Sequence, residues 1–244
     1  MVVNFNLCGQ KFMGLNGGPM FKFNPSISIF IFCKTQADVE KIWNTLSTDG
    51  MTFMPLNEYP WSKKYGWCSD KFGLSWQIML DESLIENQKI VPSLMFANAQ
   101  AGKAVQAIDL YTSLFDSSEV VLMDKYGVNE NQPEGNIKYS RFTLNNKEFS
   151  VMDNAMPFEH NFNEAISFVI ECETQAEIDF YWAKLIANGG QESRCGWLKD
   201  KFGVSWQVVP KVLGKLMTDP EKAPRIVQAF MKMNKFNIED LLNA

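Results

Sequence analysis

One stretch of this chain occurs twice, and it limits the possible folds more than any other feature. Residues 66–77 read GWCSDKFGLSWQ and residues 196–207 read GWLKDKFGVSWQ. Nine of the twelve positions are identical, including both tryptophans, the Asp-Lys-Phe-Gly run and the closing glutamine. A bare turn does not need two tryptophans and a glutamine at fixed spacing. Repetition of this kind marks a supersecondary unit that buries its apolar face against a neighbouring copy.

The repeat extends upstream. ISIFIFCKTQADVEKIW (Ile27 to Trp43) matches ISFVIECETQAEIDFYW (Ile166 to Trp182) at a constant offset of 139, which falls to 130 at the opening motif. The first copy therefore holds nine extra residues, placed in Met51 to Lys64 as a loop insertion. NFNLCGQKFMGLN (Asn4 to Asn16) also aligns with RFTLNNKEFSVMD (Arg141 to Asp153) at offset 137.

Each copy reads as strand, helix, then three short strands. Ile27 to Cys33 and Ile166 to Cys172 are β-rich runs. Thr35 with Asp38 and Thr174 with Glu177 have capping-box spacing, and Asp is the poorer fit because its side chain is shorter. Val39, Ile42, Trp43 and Leu46, and likewise Ile178, Tyr181, Trp182 and Leu185, form one apolar helical stripe. Gly50 and Gly189–Gly190 read as glycine stops. Asp70 to Gly73 has the residues a hairpin turn favours.

Between the copies, Val91 to Ala97, the stripe from Ala104 to Phe115, Val120 to Met123, Ile137 to Leu144 and Glu148 to Met152 make a third β-α-β-β-β unit. After Pro210 come a short apolar stretch, a helix opened by Pro224 and a last turn at Ile238 to Leu242. The fold class is α+β: paired β-α-β-β-β units in tandem, with a C-terminal helical tail.

Composition excludes several partners. A net charge of −5 leaves no basic surface for neutralising phosphates, so no nucleic acid is expected. No apolar run approaches the ~20 residues of a membrane-spanning helix, so no membrane is expected. The opening MVVNFNLCGQKF has no basic segment ahead of an apolar run, so no secretory signal is read there. Five cysteines without a CxxC pair fit a reducing, cytoplasmic setting.

The paired units closing on GW-xx-DKFG-[VL]-SWQ resemble the PhnB-like family of the glyoxalase/bleomycin-resistance/extradiol-dioxygenase (vicinal oxygen chelate) superfamily. This branch is often described as 3-demethylubiquinone-9 3-methyltransferase domains. The likeness covers nearly all of residues 4–210 and rests on the SWQ hairpin, the capped helix and the FTLNNKEF strand pair. It implies that two units pack so that their curved sheets enclose a cleft. On that pattern residues 90–210 form one complete domain, residues 1–82 an incomplete first domain lacking its first strand, helix and strand, and residues 211–244 the tail. Two explanations of the short first half stand side by side: a truncated chain, or a half completed by another chain. The second implies a homodimer whose incomplete halves cover one another, since an open half-sheet exposes an apolar face and free edges.

The resemblance also implies candidate site residues. In the wider superfamily His and Glu on the first and last strands hold a divalent metal. Here the last-strand Glu falls on Gln77 and Gln207, the first-strand His on Ser28 and Ser167, and the fourth-strand acid near Asn16 and Asp153. The first strand of the 90–210 pair offers Ser93. Gln, Ser and Asn are poor transition-metal ligands beside His and carboxylates, so no metal and no cofactor are expected. Gln207 reads as an amide that bonds a ligand or the opposite strand, with a satisfied buried amide as the plain alternative. His160, the single histidine, lies in the loop FEHNFN, as a general base or metal ligand or as a loop residue without a role. Trp197 and Trp206, with Trp67 and Trp76, wall a pocket or fill the core. Cys33 and Cys172 end strands as small buried hydrophobes.

No glycine-rich turn joins a strand to a helix as a dinucleotide-type fold requires; Gly14 to Pro19 leads toward a strand. Because this scaffold hosts unrelated reactions, three functions follow in order. The first is binding of a small-molecule ligand in the cleft without a tight metal. The second is a divalent-metal-dependent lyase, isomerase or dioxygenase. The third is the methyltransferase of the family's label.

Overall fold

The computed structural model describes residues 2–86 and 88–244. A hairpin comes first, β1 (Val2–Leu7) and β2 (Gln10–Leu15). The first copy follows as β3 (Ile27–Cys33), α1 (Gln36–Ser47), β4 (Thr52–Tyr59), β5 (Ser62–Ser69) and β6 (Ser75–Leu80). The middle unit is β7 (Gln88–Ala97), α2 (Ala104–Leu114), β8 (Val120–Lys125), β9 (Ile137–Leu144) and β10 (Lys147–Asn154). The second copy is β11 (Phe168–Cys172), α3 (Gln175–Ile186), β12 (Gln191–Glu192), β13 (Trp197–Lys199) and β14 (Ser205–Pro210). The tail holds α4 (Val212–Leu216), α5 (Ala223–Phe230) and α6 (Ile238–Leu242). The chain divides into two compact units after Asn161. Among the described residues no helix is long and apolar enough to cross a membrane.

In the first compact unit one sheet runs β4-β5-β6-β3-β7-β10-β9-β8. The first strands β3 and β7 meet antiparallel at its centre, each with its own fourth strand parallel on the outer side. On the α1 face, Ile29, Ile31, Val39, Trp76 and Ile78 form a core completed by Ile42, Trp43 and Leu46. Fully burying an aliphatic side chain such as Ile29, Ile31 or Ile78 stabilises by about 1.5–3 kcal/mol. The β1–β2 hairpin adds Leu7 and Phe12 to this core, while Val2, Val3, Met13 and Leu15 stay about half exposed.

This pairing differs from the grouping of residues 90–210 into one domain. The ladder joins residues 27–80 to residues 88–154, and the second copy has a separate four-stranded sheet, β11-β14-β13-β12. The reason lies on the helix-free face. There β3 presents Phe30 and Phe32, which pack with Val91 of β7. The equivalent β11 positions are Val169 and Glu171, a smaller side chain and a charged one.

The caps behave as their chemistry dictates. Thr174 Oγ1 accepts from Glu177 N (3.2 Å) and Glu177 Oε2 accepts from Thr174 N (3.1 Å), a full capping box. In α1 Thr35 Oγ1 accepts from Asp38 N (3.1 Å), but the shorter Asp38 carboxylate takes the Thr35 hydroxyl proton instead (2.7 Å). Gly189 takes a positive φ (113°) past α3 as expected, while Gly50 does not take one past α1. The left-handed residues after the two helices include Asp49 (φ 59°) and Asn188 (φ 59°). Gly50 is needed for space, since a methyl there would lie 1.9 Å from the Ser69 carbonyl oxygen. The nine extra residues form no loop; they lengthen the irregular β4–β5 hairpin, where Tyr59 and Trp61 stack at 5.1 Å.

The second compact unit lacks that extension, and its tail takes the place. Cys195 N donates to Met233 O and Gly196 N to Asn234 O, both at 2.8 Å. Gly196 is the equivalent of Gly66, which in the first copy lies against the Trp43 ring of α1 and the backbone of Leu56 of β4. Any Cβ on Gly196 would stand 2.4 Å from the Phe236 ring, so the glycine is what admits the tail. Gln175 fixes it further, donating to Phe236 O (3.1 Å) and accepting from Ile238 N (2.9 Å).

Candidate functional site

The helix-free face of the eight-stranded sheet gathers most of the polar side chains that the core buries. Side chains of registered neighbours share a face. Ser28 of β3 therefore faces with Ser93 of β7, Ser150 of β10 and Arg141 of β9. Phe30 faces with Gln77 of β6 and Val91. Phe30, Phe32, Tyr65 and Val91 make its apolar floor.

Two of the positions singled out from sequence meet here. Gln77 Nε2 donates to Ser28 Oγ at 2.6 Å, and Gln77 Oε1 accepts from Tyr65 Oη at 2.7 Å. All three residues are buried. Burial pushes the Tyr65 phenol well above its usual range, so it stays a proton donor. The second copy repeats the first contact, with Gln207 Nε2 donating to Ser167 Oγ at 2.8 Å. Cys195 stands where Tyr65 does, and both Gln207 and Ser167 are partly exposed.

A second polar group, not singled out from sequence, occupies the middle unit's half of the face. Tyr139 Oη, Ser150 Oγ, Arg141 Nε and Glu148 Oε1 are buried; the Tyr139 phenol lies against the Ser150 hydroxyl, and Arg141 Nε meets no hydrogen-bond partner. Arg141 Nη1 lies 3.3 Å from Glu148 Oε1, and Lys89 pairs with the other Glu148 oxygen. Burial pushes the Tyr139 phenol upward as well. The available signal was alternation: Arg141 shares a strand face with Tyr139 in YSRFTL, and Glu148 with Ser150 in KEFSV.

The remaining candidates lie elsewhere. Asp153 points to the α2 side, where Oδ1 accepts from Gly102 N (2.8 Å) and Ala104 N (3.3 Å) and Oδ2 from Ile137 N (2.8 Å). Burial raises its pKa, and these amide bonds oppose the rise. Asn16 is exposed after β2. The His160 ring packs edge-on against Phe158 at 5.4 Å. Trp206 is buried and donates from Nε1 to Asp200 Oδ2 at 2.9 Å, while Trp197 on β13 is half-buried.

Asp200 Oδ1 also accepts from Phe202 N (2.9 Å) and Val204 N (3.1 Å). Asp70 makes the same three bonds to Phe72 N, Leu74 N and Trp76 Nε1. One carboxylate thus ties the turn and pins the tryptophan, which accounts for most of the repeated motif. Cys33 and Cys172 are fully buried and their thiols are pushed up to about 12, so they are inert as nucleophiles.

The donor set does not fit the divalent metal of the wider superfamily. Gln77 spends its polar atoms on Ser28 and Tyr65, and Asp153 spends its oxygens on backbone amides. Among the described residues no group of three or more His, Cys, Asp or Glu is placed to hold an ion.

Comparison with known proteins gives a consistent family. The family model for 3-demethylubiquinone-9 3-methyltransferase matches residues 1–79 and 88–209. A PhnB protein from Bacillus cereus is 38% identical, covering 48% of this chain and 95% of its own, with a TM-score of 0.45. A glyoxalase I mutant from Zea mays is 10% identical, covering 82% of this chain and 74% of its own with a TM-score of 0.51, a likeness of fold alone. A protein from Staphylococcus aureus is 30% identical, covering 49% of this chain and 93% of its own, with a TM-score of 0.21. No curated protein matches.

Proposed function

Since the chain belongs to the 3-demethylubiquinone-9 3-methyltransferase family, within the glyoxalase/bleomycin-resistance superfamily, we propose that it binds a small molecule on the helix-free face of its eight-stranded sheet without a tightly bound metal. One observation carries this reading. An apolar floor of Phe30, Phe32 and Val91 is flanked by two buried polar groups, Tyr65–Gln77–Ser28 on one side and Tyr139, Ser150, Arg141 and Glu148 on the other. A buried polar atom left without a partner costs roughly 1–3 kcal/mol. A ligand that meets such atoms recovers that cost, and specificity resides in a few polar groups set in an apolar wall.

The positions of metal ligands in the superfamily hold amides and hydroxyls, so no step through a metal is derived. The methyltransferase label finds no counterpart in the site: the sheet is largely antiparallel, and Gly14 to Pro19 runs from the end of β2 toward β3, not from a strand into a helix. We further propose a cytoplasmic homodimer, on the strength of five free cysteines and of sheets left with open edges.

The test is metal analysis of the purified protein with melting curves before and after chelation, then a small-molecule screen by melting temperature. Chelation should leave the melting temperature unchanged. A true ligand at about 100 times its Kd should add about 2.7 kcal/mol, and less in Arg141→Ala or Gln77→Ala. One metal per chain together with a melting temperature that drops on chelation would replace this reading by the metal-dependent one.

A further inference from the structure

The two polar groups that flank the apolar floor are not alike. In the first, the amide is spent: Gln77 Nε2 donates to Ser28 Oγ and Gln77 Oε1 accepts from Tyr65 Oη. In the second, Arg141 Nε is buried and meets no hydrogen-bond partner. One corner of that guanidinium is taken, where Nη1 lies 3.3 Å from Glu148 Oε1. Glu148 is shared, since Lys89 pairs with its other oxygen. Asp81, whose charge also reaches Tyr139, accepts from Ser83 N and Ser83 Oγ. The open atom is therefore a cationic N–H, and what satisfies it is an acceptor. The Arg141 side chain as a whole is 27% exposed, so a ligand can reach it.

Its surroundings hold it in place. Arg141 pairs in register with Ser150 across β9 and β10, and Tyr139 lies two residues along the same strand face. Burial keeps the Tyr139 phenol protonated, so it adds no competing negative charge.

The rings describe the rest of the ligand. Phe30 stands between the two polar groups, 6.0 Å from Tyr65 and 6.3 Å from Tyr139 by ring centroids. From Tyr65 the rings continue to Tyr59 at 5.6 Å and Trp61 at 5.7 Å, and Trp61 is 57% exposed. A track of ring faces and edges thus runs from the surface to the strand that carries Arg141. Another ring packs well in such company, offset or edge-on.

We propose that the ligand of this face is an aromatic carboxylic acid, its ring lying against Phe30 and its neighbours and its carboxylate accepting from Arg141 Nε. This rests on the small-molecule reading of the same face and adds the ligand's chemical class. A carboxylate matches the planar guanidinium fork, and a charge-assisted bond of this kind is roughly twice as strong as a neutral one. The amide of the same acid offers only a neutral acceptor.

Isothermal titration on the full chain tests the class with matched probes: benzoate, phenylacetate and cinnamate, each beside its primary amide. At least one acid should bind, and its amide at least about tenfold more weakly, the size of a lost hydrogen bond to a charged group. Arg141→Lys should weaken that acid by about tenfold, because an ammonium lacks the fork, and leave the amide unchanged. Arg141→Gln should do the same. Lys138→Gln removes an equal charge from the other face of β9, where Lys138 pairs with Glu130, and should change neither affinity. Circular dichroism checks each fold; should Arg141→Gln lose its spectrum, the wild-type comparison and Arg141→Lys decide. An amide that binds as tightly as its acid would overturn the proposal, and so would an acid whose affinity Arg141→Lys leaves unmoved. Either result leaves the small-molecule reading standing. Failure of every acid to bind would also overturn it, and the wider reading falls with it only if the broad melting-temperature screen is blank as well.

Discussion

Asp200 and Asp70 do the same work in different surroundings, which makes them a matched pair. Asp200 is 2% exposed and Asp70 is partly exposed. Truncating Asp200 leaves two backbone amides and the Trp206 indole N–H without their acceptor, and water has poor access to replace it. Asp200→Ala should therefore cost at least about 3 kcal/mol, and Asp70→Ala less, because a partly exposed turn can exchange its bonds for water. Midpoints of chemical unfolding would measure both. Equal small losses would mean that the carboxylate does not hold the turn. Much of this was legible from sequence: the turn role of the two aspartates and the burial of Cys33 and Cys172 follow from local chemistry. Arg141 and Glu148 were not legible, because a charged residue on a strand announces a buried site only once the facing strands are known.

At the scale of elements, the two copies solve one packing problem with different pieces. In the first, the lengthened β4–β5 hairpin lies beside Gly66; in the second, residues 233–236 of the tail lie beside Gly196. Phe236 is 2% exposed and seals that contact. Phe236→Ala should cost about 3–5 kcal/mol, the range for deleting a buried aromatic. It should also speed hydrogen exchange at the Cys195 and Gly196 amides, which donate to the tail, before it affects β14. Exchange at those two amides that matches the wild type would show the tail to be an ornament of the unit. The helices themselves needed little tertiary help. Thr174 and Glu177 specify a start within four residues, and Thr35 with Asp38 reach only half of the same box because Asp is one methylene shorter.

Over the whole molecule, β7 has two nearly identical suitors. ISIFIFC and ISFVIEC share ends and cap, and they differ mainly at the positions that face the cleft. Phe32 on the helix-free face is 2% exposed, and Glu171 is its counterpart. Phe32→Glu would place an unpaired charge in the apolar floor and should cost at least about 4 kcal/mol, enough to unfold the eight-stranded sheet. Loss of near-ultraviolet circular dichroism at room temperature would report it. A native spectrum with an unchanged melting temperature would mean that the face tolerates charge and that β7 is held by its backbone ladder alone.

The sequence alone determined the β-α-β-β-β unit, its three occurrences, its caps and turns, and the class of fold. Each of these is written in contacts between residues a few positions apart, so a short window contains the whole cause. Only the tertiary structure decided that β7 joins β3, that the nine extra residues become strands, and that Asp153 caps a helix start while Gln77 and Ser28 meet. Those outcomes depend on which apolar face, across more than fifty residues of chain, gains most by burial, and that comparison exists only when both faces are present.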